Sequence, residues 1–375
     1  MTTRSLQSIA IAGAWGYIGQ KFTEAGLDLG LDVYVFDPGP PPEDLTSSRL
    51  HRVEHEVEFY ELDTDLYHLA LHPQHRSTAL SRLLPRAGIE DILILNEKPM
   101  AQPETPSEPL RLLREIGASG ATVLFDFPEL FDPLTHRLME FLLAFDEVRL
   151  DEIHIQRSKD REAKDNPRNR KQMVHIQYQE SVHCLAFVLN LLSQVGGGTA
   201  RALEDGFTVE AASEPYDAPN PEVYSYVVDG RCDYTMTVGQ TKIHGHTNFK
   251  RHAPWRKQRL IRGVGDGVPF EIDVDYLEGE KYLRIGGRDL DVDPADSSYE
   301  AVLLTLQKWR KERSPVDLMA GIYPNPSFAF LTYQLSGALW KASRKGSQLH
   351  FDTDADLRAF HPGFEDAVEA FPTYT

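Results

Sequence analysis

Two cysteines, Cys184 and Cys232, are all that a chain of 375 residues carries. They cannot build the disulfide framework that staples small secreted domains, and a reduced, cytoplasmic protein is the expectation. Long apolar runs are missing as well. No stretch approaches the ~20 residues that cross a bilayer. The opening "MTTRSLQSIAIAG" enters a strand-like run without an apolar leader and cleavage site, so neither membrane span nor secretory signal is expected. Basic blocks are scarce: 39 Lys and Arg stand against 57 Asp and Glu, a net charge of −18. That balance argues against binding a nucleic-acid backbone. The two short basic runs, "WRKQR" (Trp255–Arg259) and "KWRKER" (Lys308–Arg313), read as solvated faces. No G-x-S-x-G elbow appears, so a Ser/His/Asp hydrolase is not supported.

What is present is alternation. Ile9–Ala12, Asp32–Phe36, Leu66–Leu71, Asp91–Asn96 and Ala121–Phe127 are short apolar, β-branched runs. Helical spacing lies between them over Tyr17–Gly30, Ser77–Leu84 and Leu110–Ile116. Strands separated by helices imply a doubly wound parallel sheet covered on both faces. After about residue 128 the texture changes. A helix (Pro133–Phe145) and a strand (Val148–Gln156) lead through a charged loop to an apolar helix around His183. From Thr199 to about Val292 strand follows strand, with turn signals "DG" at 229–230 and "GDG" at 265–267. That pattern predicts an open, mostly antiparallel sheet, closed by helices over Tyr299–Arg313 and Phe328–Ser343. At this length two domains are expected. They are a Rossmann domain over 1–127 and an α+β domain over 128–375.

The first strand runs into "GAWGYIGQKF". Gly13, Gly16 and Gly19 open a helix directly after a strand, with Trp15, Tyr17 and Ile18 between them. A dinucleotide pyrophosphate needs a tight turn, a close backbone and helix N–H groups pointed at it. This is a spacing variant of G-x-G-x-x-G. Asp37 ends the second strand, where an acid accepts a hydrogen bond from the adenosine ribose 2′-OH and repels a 2′-phosphate. "PGPPP" follows it, with no Arg or Lys, so NAD is favoured over NADP. Trp15 either packs on the cofactor or is a partly exposed loop aromatic.

"NEKPMA" places Glu97, Lys98 and a proline at the end of the fourth strand, on the edge of an α/β sheet where ligands bind. A lysine there can stabilise an alkoxide developing as hydride leaves; the Lys98–Pro99 bond is a candidate for the cis form in such a turn. The glycine loop, Asp37, "LHPQH" (Leu71–His75) and "NEKPMA" occur in an order that resembles the glucose–fructose oxidoreductase/inositol dehydrogenase/rhizopine catabolism (Gfo/Idh/MocA) family. "FDFPELFDP" and "NPSFAFLTYQLSGALWKASRKGSQLHF" resemble its later segments, so the resemblance spans the whole chain. It implies NAD(P) on the Rossmann domain and an open C-terminal sheet that mediates homo-oligomer contacts, as a dimer or tetramer. It also implies hydride transfer at a hydroxyl-bearing carbon of a sugar, cyclitol or sugar derivative. Carried over by motif, Leu71, His72 and His75 line the cofactor crevice, and Glu97 and Lys98 lie at the nicotinamide ribose.

The family commonly carries an Asp four residues before a His or Tyr at a helix start. His183 matches the His and would take the hydroxyl proton. Gln179 stands where the Asp is expected, and Glu180 is three residues before His183, on the same face of a regular helix. Either would orient the imidazole; only Glu180 would also stabilise its charged form. Read alone, a histidine in an apolar helix such as His183 is usually a core group with one hydrogen bond.

Arg157, Lys159 and "NPRNRK" (166–171) are candidates for contacting a polyol, phosphate or carboxylate substrate, or belong to a solvated loop; Tyr178 is a weaker candidate on the substrate side. Asp126 lies on the ligand edge, or caps the next helix. "HPQH" and "IHGH" (His244, His246), with His252 nearby, pair imidazoles. No cysteine or carboxylate cluster accompanies them, so no metal is expected. Two other chemistries remain open on this scaffold. One is reduction of an imine or conjugated system, or a lyase or hydrolase cycle on held NAD. The other is non-catalytic NAD binding, which the missing Asp allows.

Overall fold

A computed structural model describes residues 5–43, 45–165, 172–292 and 297–374. Contacts divide the chain into two compact units. The first comprises Met1–Ala101, Ser107–Asp132 and Ala295–Phe330; the second comprises Gln102–Pro106, Pro133–Pro294 and Leu331–Thr375.

In the first unit the apolar runs become strands β1 (Ser8–Ala12), β2 (Asp32–Phe36), β3 (Leu50–Arg52), β4 (Leu66–Leu69), β5 (Leu93–Glu97) and β6 (Thr122–Asp126). The intervening helices are α1 (Tyr17–Asp28), α2 (Glu56–Tyr60), α3 (Pro73–Glu90) and α4 (Glu108–Ser119). The sheet order is β3-β2-β1-β4-β5-β6, parallel throughout. Every residue of β4, β5 and β6 is buried, as a sheet covered on both faces requires. The chain runs outward from β1 to β3, then restarts at β4 on the other side. The switch point therefore lies between β1 and β4. The helix expected over Ser77–Leu84 is longer, starting at Pro73 and continuing past Pro85. Pro73 suits the first helical position, where its missing N–H costs nothing. Pro85 removes one ladder bond, while Leu83, Leu84 and Ala87 stay buried on its flanks.

The single boundary expected after residue 127 is replaced by a return of the chain. The helix Ser298–Glu312 belongs to the first unit. Its Tyr299 ring packs edge-on against Phe22 of α1, centroids 5.4 Å apart. Arg310 donates to the carbonyls of Asp65 (2.7 Å) and Asp91 (3.1 Å). Helical periodicity shows that a helix has an apolar face, not which sheet that face covers.

The second unit holds β7 (Val148–Ser158), β8 (Phe207–Pro215), β9 (Asp229–Val238), β10 (Thr241–Asn248), β11 (Arg256–Gly265), β12 (Val268–Asp275), β13 (Tyr282–Ile285), β14 (Arg288–Asp289) and β15 (Leu349–Phe351). They form one nine-stranded sheet ordered β14-β13-β12-β11-β7-β10-β9-β8-β15. Only β7 and β10 pair in parallel. Burial alternates along β9 and β10, so one face packs on the core and the other stays open. The helix Val182–Gly196, buried from Val182 to Ser193, covers the packed side. The "GDG" signal is a hairpin turn between β11 and β12, with Asp266 (φ 48°) and Gly267 (φ 79°) both left-handed, the signature of a type I′ turn. The "DG" at 229–230 is not a turn. Gly230 lies within β9, where a Cβ would stand 2.8 Å from Tyr216 Cα. Glycine there permits a close backbone approach.

Candidate active site

The glycine turn sits at the switch point. Gly13 adopts φ 76°, and a Cβ on it would stand 2.8 Å from the Ala70 carbonyl oxygen, beyond the end of β4. Gly19 is more constrained: its Cβ would fall 2.2 Å from the Gly13 carbonyl oxygen and 2.7 Å from Ala14 Cα. Gly16 is the N-cap of α1 and supplies no side-chain cap; the first turn of that helix carries no acid. The helix start thus keeps the donors and dipole that favour an anion. Asp37 ties the turn to the end of β2. One carboxylate oxygen accepts from Trp15 N (3.0 Å) and the other from Gly39 N (2.8 Å). The Trp15 carbonyl accepts from Gln20 Nε2 (2.9 Å), while Trp15 Nε1 is buried without a hydrogen-bond partner among the described residues. Tyr17 is exposed and Ile18 half-buried, both at the start of α1.

Leu71 and His72 follow β4, with His72 as the N-cap of α3; His75 is exposed in the first turn and bonded to Gln74 (2.7 Å). Glu97 ends β5, Lys98 follows it, and the Lys98–Pro99 peptide is cis. Glu97 proves to be the centre of a buried cluster that sequence reasoning did not assemble. Its Oε1 lies 3.2 Å from His68 Nε2, and its registered neighbour on β6 is Asp126. Candidate ligand atoms of His68, Glu97 and Asp126 all lie within 4.8 Å of one another. Burial alone would raise the Glu97 carboxyl. His68, with Lys98 and Arg76, outweighs it and holds Glu97 below the ordinary range. Asp126 goes the other way: burial first, then the Glu97 carboxylate, push it well above its ordinary value. Asp126 therefore holds its proton to higher pH than an ordinary carboxyl does, hydrogen-bonded to Glu97. Arg76, on α3, is 1% exposed, and none of its guanidinium nitrogens has a hydrogen-bond partner among the described residues. Burial pulls it down to about 10 against the opposing charges of Glu97 and Glu108. The readable signal for His68 was a titratable residue inside the apolar run "LYHLAL".

In the second unit, Tyr178, Gln179 and Glu180 lie in a π-helical turn, Gln177–Ser181, that leads into the His183 helix. A π turn inserts a residue into the helical ladder, so the regular i,i+3 and i,i+4 face rules do not carry across it. His183 is 7% exposed. The Gln179 side-chain carbonyl accepts from Val174 N (3.2 Å). Glu180 is shared between two cations: one oxygen accepts from Arg157 Nε, the other from Lys159 Nζ (2.6 Å). Arg157 and Lys159 thereby converge on a carboxylate of their own unit. Tyr178 is fully buried against Tyr333, ring centroids 5.2 Å apart, and burial with Glu104 and Glu365 pushes its phenol up. That makes it a packing residue rather than a surface for substrate. The segment 166–171 lies outside the described residues. The "IHGH" pair separates: His246 bonds Asp233 (2.5 Å), whereas His244 stacks on His154.

A glycine turn at the switch point of a six-stranded parallel sheet, followed in the chain by a nine-stranded open sheet, defines a two-unit α/β fold with a Rossmann-like first sheet. No family model and no curated protein sequence matches the chain. Solved structures do. The chain is similar to a myo-inositol dehydrogenase from Corynebacterium glutamicum, at 15% identity, with a TM-score of 0.65 over 92% of this chain and 99% of that one. It is similar to an oxidoreductase from Agrobacterium radiobacter in complex with NAD+, L-tartaric acid and magnesium, at 14% identity, with a TM-score of 0.66 over 92% and 98%. It is also similar to a super-repressor mutant of Gal80p from Saccharomyces cerevisiae, at 12% identity, with a TM-score of 0.70 over 95% and 100%. These likenesses show the fold. Among the described residues no helix is long and apolar enough to cross a membrane, and both cysteines are free and buried.

Proposed function

We propose that the chain is an NAD-dependent oxidoreductase of the Gfo/Idh/MocA family. In this reading it moves hydride between nicotinamide and a secondary alcohol or ketone of a sugar, cyclitol or sugar derivative. The observation that carries the reading is the tight turn at the switch point, where the backbone closes on Gly13 and Gly19 too closely for any Cβ. The likeness to an inositol dehydrogenase and to an NAD+-bound oxidoreductase supports it. Bound there, NAD supplies the hydride acceptor. The first-turn N–H groups of α1 hold the pyrophosphate. Asp37 accepts from the adenosine ribose and repels a 2′-phosphate, which selects NAD over NADP. On the family pattern, Lys98 stabilises the developing oxyanion and His183 takes the hydroxyl proton, with Gln179 or Glu180 orienting the ring; in reduction the roles reverse. The second unit contributes substrate contacts and joins copies of the chain into a dimer or tetramer through its sheet. A reducing, cytoplasmic setting suits two buried free thiols.

The test pairs cofactor fluorescence with turnover on a polyol panel. NADH is expected to bind more tightly than NADPH, and at least one polyol to give NADH. His183→Asn lowers turnover by about 10²–10⁴-fold while NADH binding persists. Unchanged turnover removes His183 from proton transfer.

A second reading, NAD binding without turnover, is favoured by one observation. Gln179 replaces the expected acid, and Glu180 is engaged by Arg157 and Lys159. Under it NADH binds, no polyol is oxidised, and Lys98→Ala changes affinity alone.

A further inference from the structure

We infer that the open face of the nine-stranded sheet carries a binding site for a first-row divalent transition-metal ion, built from Glu152, His154 and His244. The inference does not depend on the NAD reading.

The sheet itself makes the site. β7 and β10 are its one parallel pair, and His154 and His244 are directly registered partners across it. Side chains alternate along a strand, so Glu152 lies on the same face as His154. Glu152 Oε1 lies 3.0 Å from His154 Nε2 and 3.7 Å from His244 Nε2. The three candidate donor atoms all fall within 4.8 Å of one another. Donors held at about 2.0–2.2 Å from a tetrahedral ion stand roughly 3.3 Å apart, a value these separations bracket. The imidazoles stack at 4.9 Å with 23° between planes.

The surroundings fit a ligating carboxylate. Glu152 Oε2 accepts from Arg262 Nη1 (3.2 Å) on β11, whose Nε is bonded to Glu271 (2.8 Å). One oxygen is therefore held by Arg262 and the other is left facing the histidines, the arrangement that orients metal ligands. His246, the next same-face residue of β10, is engaged by Asp233. In the single chain the three donor side chains are 32–44% exposed, so an ion reaches them there from solvent. Two imidazoles and one carboxylate select zinc, nickel, copper or cobalt over magnesium and calcium. Three protein ligands leave a coordination position for water.

Equilibrium dialysis with Zn2+ and visible absorption with Co2+, on the full-length protein, test this. The expected result is one Zn2+ per chain and a Co2+ d–d band. His154→Ala and His244→Ala each weaken Zn2+ binding about tenfold or more and abolish the band, and Glu152→Gln weakens binding too. His246→Ala leaves both signals in place. Metal-free melting temperatures of the variants, unchanged from wild type, separate lost ligands from lost fold. The assignment fails if wild type binds Zn2+ no more tightly than the His154→Ala/His244→Ala double variant, or if His246→Ala loses as much as His244→Ala.

Discussion

His68 Nε2 lies 3.2 Å from Glu97 Oε1, and both side chains are shut off from solvent, at 0% and 8% exposure. The imidazole donates to an ionised carboxylate at the end of β5 and is itself packed under Phe22, ring centroids 3.9 Å apart. A buried charge that loses its partner is expensive, about 3–5 kcal/mol. His68→Leu is therefore expected to lower unfolding free energy by roughly 3 kcal/mol, read by urea denaturation. A loss below about 1 kcal/mol would mean that Lys98 and Arg76 alone sustain the Glu97 charge.

Asp126 gives the cluster a pH signature of the opposite sign. Its proton is held in the folded state above the pH at which an unfolded carboxyl releases it. Folding therefore takes up a proton, and stability falls as pH rises beyond the ordinary carboxyl range. Glu97, held low, contributes stability that is lost only as pH falls below that range. Asp126→Asn keeps a donor towards Glu97 and removes the proton uptake. Urea midpoints from about pH 5 to 8 are expected to slope downward in wild type and to flatten in the variant, which is also more stable at neutral pH. Parallel slopes would show that Asp126 ionises normally.

The contact between Gly19 and the Gly13 carbonyl leaves no room for a methyl group. Gly19→Ala is expected to cost about 1–3 kcal/mol through overpacking and to abolish NADH binding. Gly117, whose Cβ would meet nothing within 4 Å on the exposed side of α4, is the control. Gly117→Ala is expected to be neutral or to stabilise by up to ~1 kcal/mol. Thermal melts compare the two directly.

Asp37 holds two backbone N–H groups in addition to its proposed ribose contact. Asp37→Ala should weaken NADH binding about tenfold or more through a lost charge-assisted bond, and NADPH binding much less. The NADH:NADPH affinity ratio, measured by fluorescence, is the readout. An unchanged ratio would restrict Asp37 to bracing the turn.

Features confined to one short stretch were readable from the chain. Gly13, Asp37 and Lys98 each stand at the end of an apolar strand run, and strand ends on one side of a parallel sheet share an edge. What depends on register was not readable. His68, Glu97 and Asp126 come from three strands and meet only because β4, β5 and β6 align as they do. His154 and His244 lie far apart in sequence, and nothing local pairs them, so attention fell on His244 and His246 instead. β3 has three residues, largely exposed, too few to show alternation. The π turn before His183 altered the helical face on which the roles of Gln179 and Glu180 were judged.

The helix Ser298–Glu312 has a bearing on biosynthesis. The first unit includes residues up to Phe330, yet its strands are finished at Asp126. Roughly 200 further residues must leave the ribosome before that unit is complete, about 10–40 s at ordinary elongation rates. For that interval the side of α1 at Phe22 lacks the Tyr299 ring that covers it in the finished unit, so the amino-terminal sheet and helices wait, part-covered, on a helix translated long after them.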